Sequence, residues 1–142
     1  MMTKQERIGE IVARHLGREG PLLPILHEVQ HEFGCVDAEA EAAIALALNL
    51  SRADVHGVVS FYHDFLPSPD PRPVVQICRA EACKARGVER LITDATVAAG
   101  ERVKIATVYC LGLCSAGPAA RIGDTMHVRL DEGSIVKLVE AV

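Results

Sequence analysis

Four of the five cysteines stand in two pairs, Cys78-x₄-Cys83 and Cys110-x₃-Cys114. Each pair follows a β-rich apolar run, residues 74–77 before the first and 103–108 before the second. If those runs are parallel neighbours in one sheet, Cys78 and Cys110 leave it at the same carboxyl edge, where α/β sheets build their sites. Cys83 and Cys114 then lie in the loops just beyond, and four thiolates converge. Such a set can form two disulfides, hold a zinc ion, hold an iron–sulfur cluster, or stay as buried thiols without metal. Disulfides fit poorly, because no secretory signal opens the chain and an odd count leaves one cysteine over. Structural zinc prefers tight C-x₂₋₄-C knuckles, and these gaps fit only the edge of that range. A [2Fe–2S] cluster takes two thiolates on each iron, so each pair can serve one iron. The backbone between the ligands is long enough to aim N–H groups at the sulfurs. Spacing favours the cluster over zinc and leaves both open.

The elements that would carry these loops read as α/β. After residue 71 the order is a strand at about 73–78, a helix at about 83–98 and a strand at about 103–109. Residues 119–122 and 126–130 flank Gly123-Asp124-Thr125, a hairpin signal, and a last helix from about Gly133 carries Ile135, Val136, Leu138 and Val139. A parallel β-α-β unit followed by a hairpin and a helix is the thioredoxin-like order β-α-β-β-β-α. The first third reads as four short helices, a small bundle. Thr3 caps a stripe of Ile8, Ile11, Val12 and Leu16 that stops at Gly17. Leu22, Ile25, Leu26, Val29 and Phe33 form a second stripe ending at Gly34, with Pro24 in its first turn. Asp37 caps an alanine-rich run to Leu50, and Ser51-x-x-Asp54 is a capping box for the fourth helix. Between the halves, residues 67–73 hold four prolines, a stiff linker. The predicted domains are therefore a helical region, 1–66, and a cysteine-bearing domain, 71–142.

The cysteine pattern, extended to Tyr109-Cys110-Leu111-Gly112-x-Cys114-x₃-Pro118-Ala119, closely resembles the thioredoxin-like [2Fe–2S] ferredoxin family. The Val-x-Gly-Val-x-Ser-Phe-Tyr stretch ending at Phe61-Tyr62 is similar too, so the resemblance covers most of the chain. That family includes the small ferredoxin subunit of respiratory complex I and the gamma subunit of NAD-dependent formate dehydrogenases. The resemblance implies a [2Fe–2S] cluster with Cys78, Cys83, Cys110 and Cys114 as ligands. It also implies docking on a flavin- and NAD-binding subunit, and through it on an iron–sulfur/molybdenum catalytic subunit. The short length and the Val-Tyr-Cys-Leu-Gly-Leu-Cys stretch lean toward the formate dehydrogenase branch, with complex I and a stand-alone ferredoxin as alternatives.

Other residues carry weaker signals. A net charge of −4 argues against nucleic acid, no apolar run approaches a membrane span, and the polar opening suggests the cytoplasm. Cys35 lies far from the pairs and reads as a half-buried thiol, and His27 and His31 as surface residues. Arg79, Lys84 and Arg86 surround the first pair and could stabilise a reduced cluster, while Gly112 and Gly117 would let backbone approach it. Phe61, Tyr62 and Phe65 read either as a core plug or as an anchor for a partner subunit. Pro118 occupies the position of a frequent cis proline in thioredoxin folds, although base rates favour trans. No Gly-x-Gly-x-x-Gly, P-loop or Cys-x-x-Cys is present, so the chain is expected to serve an enzyme rather than to be one alone.

Overall fold

The computed structural model describes all residues, 1–142. The chain forms two compact units, Met1–Asp70 and Pro71–Val142. No helix is long and apolar enough to cross a membrane.

The first unit is helical throughout: α1 (Lys4–His15), α2 (Leu22–Phe33), α3 (Ala38–Leu48) and α4 (Arg52–Phe61). The starts of α1, α3 and α4 are set by side chains that satisfy orphan amides, whereas α2 follows Pro21 without a side-chain cap. The Thr3 hydroxyl accepts from Glu6 N while the Glu6 carboxylate accepts from Thr3 N at 2.7 Å. Asp37 accepts from Ala40 N at 3.0 Å, and Ser51 and Asp54 form a second capping box. The ends depart slightly from expectation. α1 stops at His15, before Gly17, and α3 stops at Leu48 because Asn49 turns left-handed at φ 54°. Gly34 ends α2 at φ 72°, where a side chain would be strained.

Ile8, Ile11, Ile25, Leu26, Ile44 and Val55 fill the helical core, each contributing about 1.5–3 kcal/mol by burial. Residues 62–66 strap across it, since Val36 N donates to Leu66 O and Leu66 N to the Gln30 side chain. The aromatic trio is divided: Phe65 is buried in this core, whereas Phe61 is 75% exposed. Cys35 is also buried, and the exposed His27 ring packs on Phe65.

The second unit holds one sheet of order β2-β1-β3-β4. β1 (Val74–Cys78) runs parallel to β2 (Lys104–Val108), with Cys78 opposite Val108. β3 (Ala120–Ile122) pairs antiparallel with β1, and β4 (Thr125–His127) with β3 across the two-residue turn Gly123-Asp124. A parallel pair needs a crossover. It is not the single helix expected over 83–98 but two, α5 (Glu81–Ala85) and α6 (Val88–Ala99). Gly87, at φ 88°, breaks the run, and its N–H closes the first helix on Lys84 O. The last helix, α7 (Glu132–Glu140), is capped by Asp131 and packs against α6. Val75, Ile77, Val88, Ala95, Ile135 and Val139 form the shared core.

β4 is shorter than the run 126–130 suggested. Arg129 takes a left-handed φ of 49°, and the segment leaves the ladder so that Arg129 N reaches Ala116 O and Leu130 N reaches Pro118 O.

Acid should loosen the helical unit. The carboxyls of Asp37, Glu28 and Asp54 lie below their ordinary values, held there chiefly by bonds from Lys4, His15 and Ser51 respectively. Groups with depressed folded values stabilise above their unfolded pKa, and that contribution fades as pH falls through the folded one. Helical-unit stability should therefore hold at neutral pH and decline below the ordinary values of 3.8 for Asp and 4.5 for Glu. Amide exchange resolved along the chain checks this: protection in α1–α4 should fall with acid, and Asp37→Ala should lower it by about 1 kcal/mol at pH 7.

Candidate metal centre

Parallel register places both ligand loops at one sheet edge. β1 ends on Cys78, β2 ends opposite it, and Cys110 follows two residues later. The strand ends are joined by Arg79 N donating to Val108 O at 2.9 Å. Cys83 lies in α5, which turns directly out of β1, and Cys114 opens a 3₁₀ turn, Cys114–Ala116. The structure thus brings the four predicted cysteines together. Cys78 and Cys83 are buried, whereas Cys110 and Cys114 are exposed, and all are thiols.

The sulfurs meet in pairs. Cys110 Sγ and Cys114 Sγ are 3.6 Å apart. With metal–sulfur bonds of about 2.3 Å, two thiolates on one tetrahedral ion stand about 3.8 Å apart, so this pair fits a shared metal. No group of three or more histidine, cysteine or carboxylate side chains is placed to hold one ion, and the other thiol–thiol hydrogen bond joins Cys78 and Cys83. Two thiolates per iron is the arrangement a [2Fe–2S] cluster requires.

Backbone amides point at these sulfurs. Cys110 N donates to Cys78 Sγ at 3.3 Å and Gly112 N to Cys110 Sγ at 3.4 Å. Cys110 and Gly112 both have positive φ, 70° and 76°, so residues 110–112 curl their N–H groups inward as an anion-binding nest. The thiols respond to this environment. Burial, the largest influence on Cys78, raises its pKa, yet the N–H groups of Ala80, Cys110 and Leu111 and the Cys83 thiol together hold it below the ordinary value. Burial pushes Cys83 up, opposed by Ala119 N–H and reinforced by Cys78 and Cys114. Cys114 is raised mainly by the hydrogen bond and charge of Cys110.

The two glycines have different roles. A Cβ on Gly117 would stand 3.0 Å from Cys83 Sγ and 3.5 Å from Arg86 Cδ, so this glycine makes room for the buried sulfur. A Cβ on Gly112 would meet nothing within 4 Å, and that residue is needed for its φ instead. The Gly117–Pro118 bond is cis. Of the three nearby cations, Arg79 is clamped by Glu89 through two bonds of 3.1 and 2.6 Å, so its charge is largely balanced before it reaches the sulfurs. Arg86 packs its stem beside Gly117, and Lys84 is exposed. The main-chain donors of Ala80, Leu111 and Ala119 were invisible in the sequence, because every residue type carries the same N–H.

A parallel β-α-β frame with paired thiols at its carboxyl edge and amides aimed at them defines a small α/β domain suited to a thiolate-held metal centre. Comparison with known proteins agrees. Residues 8–142 match the family described as thioredoxin-like [2Fe-2S] ferredoxin, and the chain belongs to that family. Its cofactor is accordingly a [2Fe–2S] cluster. Among relatives, an NADH-quinone oxidoreductase subunit of Pseudomonas aeruginosa is 30% identical over 122 residues, covering 80% of this chain and 74% of that protein. The NADP-reducing hydrogenase subunit HndA of Solidesulfovibrio fructosivorans is 28% identical, covering 86% and 77%. A crystal structure of an NAD+-reducing [NiFe]-hydrogenase in the H2-reduced state superposes with a TM-score of 0.69 at 27% identity, over 84% of this chain and 21% of that one. This chain thus spans about a fifth of that hydrogenase polypeptide.

Gly117→Ala should show the tightness of this cradle. The added methyl would stand 3.0 Å from Cys83 Sγ and displace it by a few tenths of an ångström, so iron content and visible absorbance per chain should fall below wild type while far-UV circular dichroism is retained. Full iron loading in this variant would show that Cys83 can move aside.

Proposed function

We propose that this chain is the [2Fe–2S] electron-transfer subunit of an NAD-dependent formate dehydrogenase complex, working in the cytoplasm. Cys78, Cys83, Cys110 and Cys114 would be the cluster ligands. The observation that carries this reading is the paired convergence of four thiols within a nest of N–H donors. When bound, a [2Fe–2S] cluster takes up and releases single electrons. The chain's own residues do the rest. Cys78 and Cys83 anchor the buried side, the amides of residues 110–112 offset thiolate charge, and the exposed Cys110 and Cys114 bring the site to the surface. The partner is a flavin- and NAD-binding subunit, where hydride chemistry is converted to single electrons, and beyond it an iron–sulfur/molybdenum catalytic subunit. The Val108-Tyr109-Cys110-Leu111-Gly112-Leu113-Cys114 stretch supports the formate dehydrogenase branch.

A second reading, the corresponding subunit of NADH-quinone oxidoreductase, draws support from the 30% identity with the Pseudomonas protein. Tagged chain purified from its own cells separates the two. A molybdenum-containing subunit and formate-dependent NAD reduction support the first, quinone-reductase subunits support the second, and a lone chain supports a stand-alone ferredoxin.

The purified protein should be brown, with about two irons and about two sulfides per chain. Alanine at any of the four ligand positions should abolish or cripple the absorbance, whereas Cys35→Ala should leave it intact. Stoichiometric zinc without colour would sink the cluster, and bleaching by Cys35→Ala would overturn the ligand set. The isolated chain should not oxidise NADH.

A further inference from the structure

Two of the five thiols lie at the surface within reach of one another. Cys110 and Cys114 are exposed, and their sulfurs are 3.6 Å apart. A disulfide bond is about 2.05 Å long, so the pair lacks only about 1.5 Å of approach. The loop between them has room to close, since a Cβ on Gly112 would meet nothing within 4 Å. Gly112 N donates to Cys110 Sγ at 3.4 Å, a bond that suits this sulfur to act as the nucleophile. The remaining thiols are withheld from solution: Cys78, Cys83 and Cys35 are 2%, 3% and 6% exposed, and Cys35 belongs to the helical unit. Cys78 and Cys83 also share a thiol–thiol hydrogen bond, but their burial in the core closes that pair to a reagent from outside.

We infer that Cys110 and Cys114 form a reversible disulfide in the metal-free chain, made by a small disulfide of the glutathione class, and that this bond competes with metal for the same two sulfurs. The disulfide stands on the geometry of the pair, and the competition rests on the ligand set proposed above. In the first step the Cys110 thiolate attacks one sulfur of glutathione disulfide, breaking its S–S bond and releasing one glutathione thiolate. In the second, the Cys114 thiolate attacks the Cys110 sulfur of the mixed disulfide and expels the other glutathione thiolate. The two protein thiols give up two electrons and two protons, and glutathione disulfide becomes two glutathiones. Because the second attack is intramolecular and starts from 3.6 Å, it is fast and the mixed disulfide does not accumulate. A closed pair offers no thiolate to a metal, since cysteine ligates only when deprotonated and reduced. A reducing thiol reopens it. The surface pair thus admits metal only while the surroundings keep it reduced.

The test treats full-length, metal-free chain with glutathione disulfide, alkylates the surviving thiols under denaturing conditions and maps every cysteine by peptide mass. Two of the five thiols should be lost, joined as Cys110–Cys114, with Cys35, Cys78 and Cys83 alkylated. Cys114→Ser, a change at an exposed position, should stop at the first step, leaving one glutathione on Cys110. Cobalt(II) is the metal probe, because it takes thiolates and does not reduce disulfides. Its thiolate absorbance should appear with the reduced chain, be lost with the oxidised chain, and return once dithiothreitol has been added and removed. No loss of thiols, a Cys78–Cys83 or cross-pair disulfide, or wild-type Cys110 that retains its glutathione overturns the disulfide while leaving the functional reading intact. A Cys110–Cys114 disulfide that leaves the cobalt absorbance undiminished overturns the competition, and Cys110 and Cys114 fall from the proposed ligand set with it.

Discussion

Four sulfurs that repel one another as they ionise have to be held within a few ångströms, and the second unit is arranged around that constraint. Burial first, then Cys78 and Cys114, push Cys83 up in pKa, and Cys110 pushes up Cys114, so at these two positions a neighbouring thiolate makes ionisation harder. Metal ions would offset the repulsion, because ligated thiols are deprotonated outright. Two arrangements of the backbone prepare for it. Parallel pairing of β1 and β2 puts Cys78 and Cys110 at one edge, and the αL turns at Cys110 and Gly112 aim amides at the charge. Those turns carry a cost, since Cys110 is a non-glycine residue in left-handed conformation, typically of order 1 kcal/mol or more. The loop accepts it in return for N–H groups directed at sulfur.

The two pairs meet different surroundings. Cys78 and Cys83 sit in the same core as Val75, Ile77 and Val88, where charge is poorly solvated and unpaired donors are expensive. Their compensation comes from fixed backbone dipoles. Cys110 and Cys114 face water, which supplies much of theirs. A cluster held by these four cysteines would meet different exposure and different hydrogen bonds to sulfur on its two sides. The crossover supports the inner side: the break at Gly87 lets α5 be short enough to return Cys83 to Cys78 before α6 begins its packing against α7.

How much of this was legible depends on whether the signal is local. Caps at Thr3, Asp37 and Ser51 could be read from spacing, because each is decided by a side chain and an amide three residues on. The cysteine pairs and the β-α-β order could be read for the same reason. Gly87 could not, since a lone glycine in an apolar-periodic run is as compatible with a tolerated helical position as with a break. Arg129 ends β4 only because Ala116 and Pro118 offer carbonyls from elsewhere in the chain. Phe61 and Phe65, four residues apart, have similar local chemistry, and only tertiary packing buries one and exposes the other. Gly112 and Gly117 looked alike in sequence, yet one answers a backbone angle and the other a sulfur at 3.0 Å from its absent Cβ.

The distribution of charge links the site to the remainder of the surface. The helical unit is laced with ion pairs, Arg7 to Glu10 and Glu32, Arg14 to Glu28 and Lys4 to Asp37 among them. Exposed pairs of this kind contribute little stability, typically about 0–1 kcal/mol each, so their placement chiefly governs solubility and association. No charged residue lies within 105–120, the segment that carries the outer sulfurs. A fixed charge there would shift the reduction potential of a cluster held by them. Close by, Glu89 holds Arg79 in a bidentate clamp, while Lys84 and Arg86 stand as further cations beside the first cysteine pair.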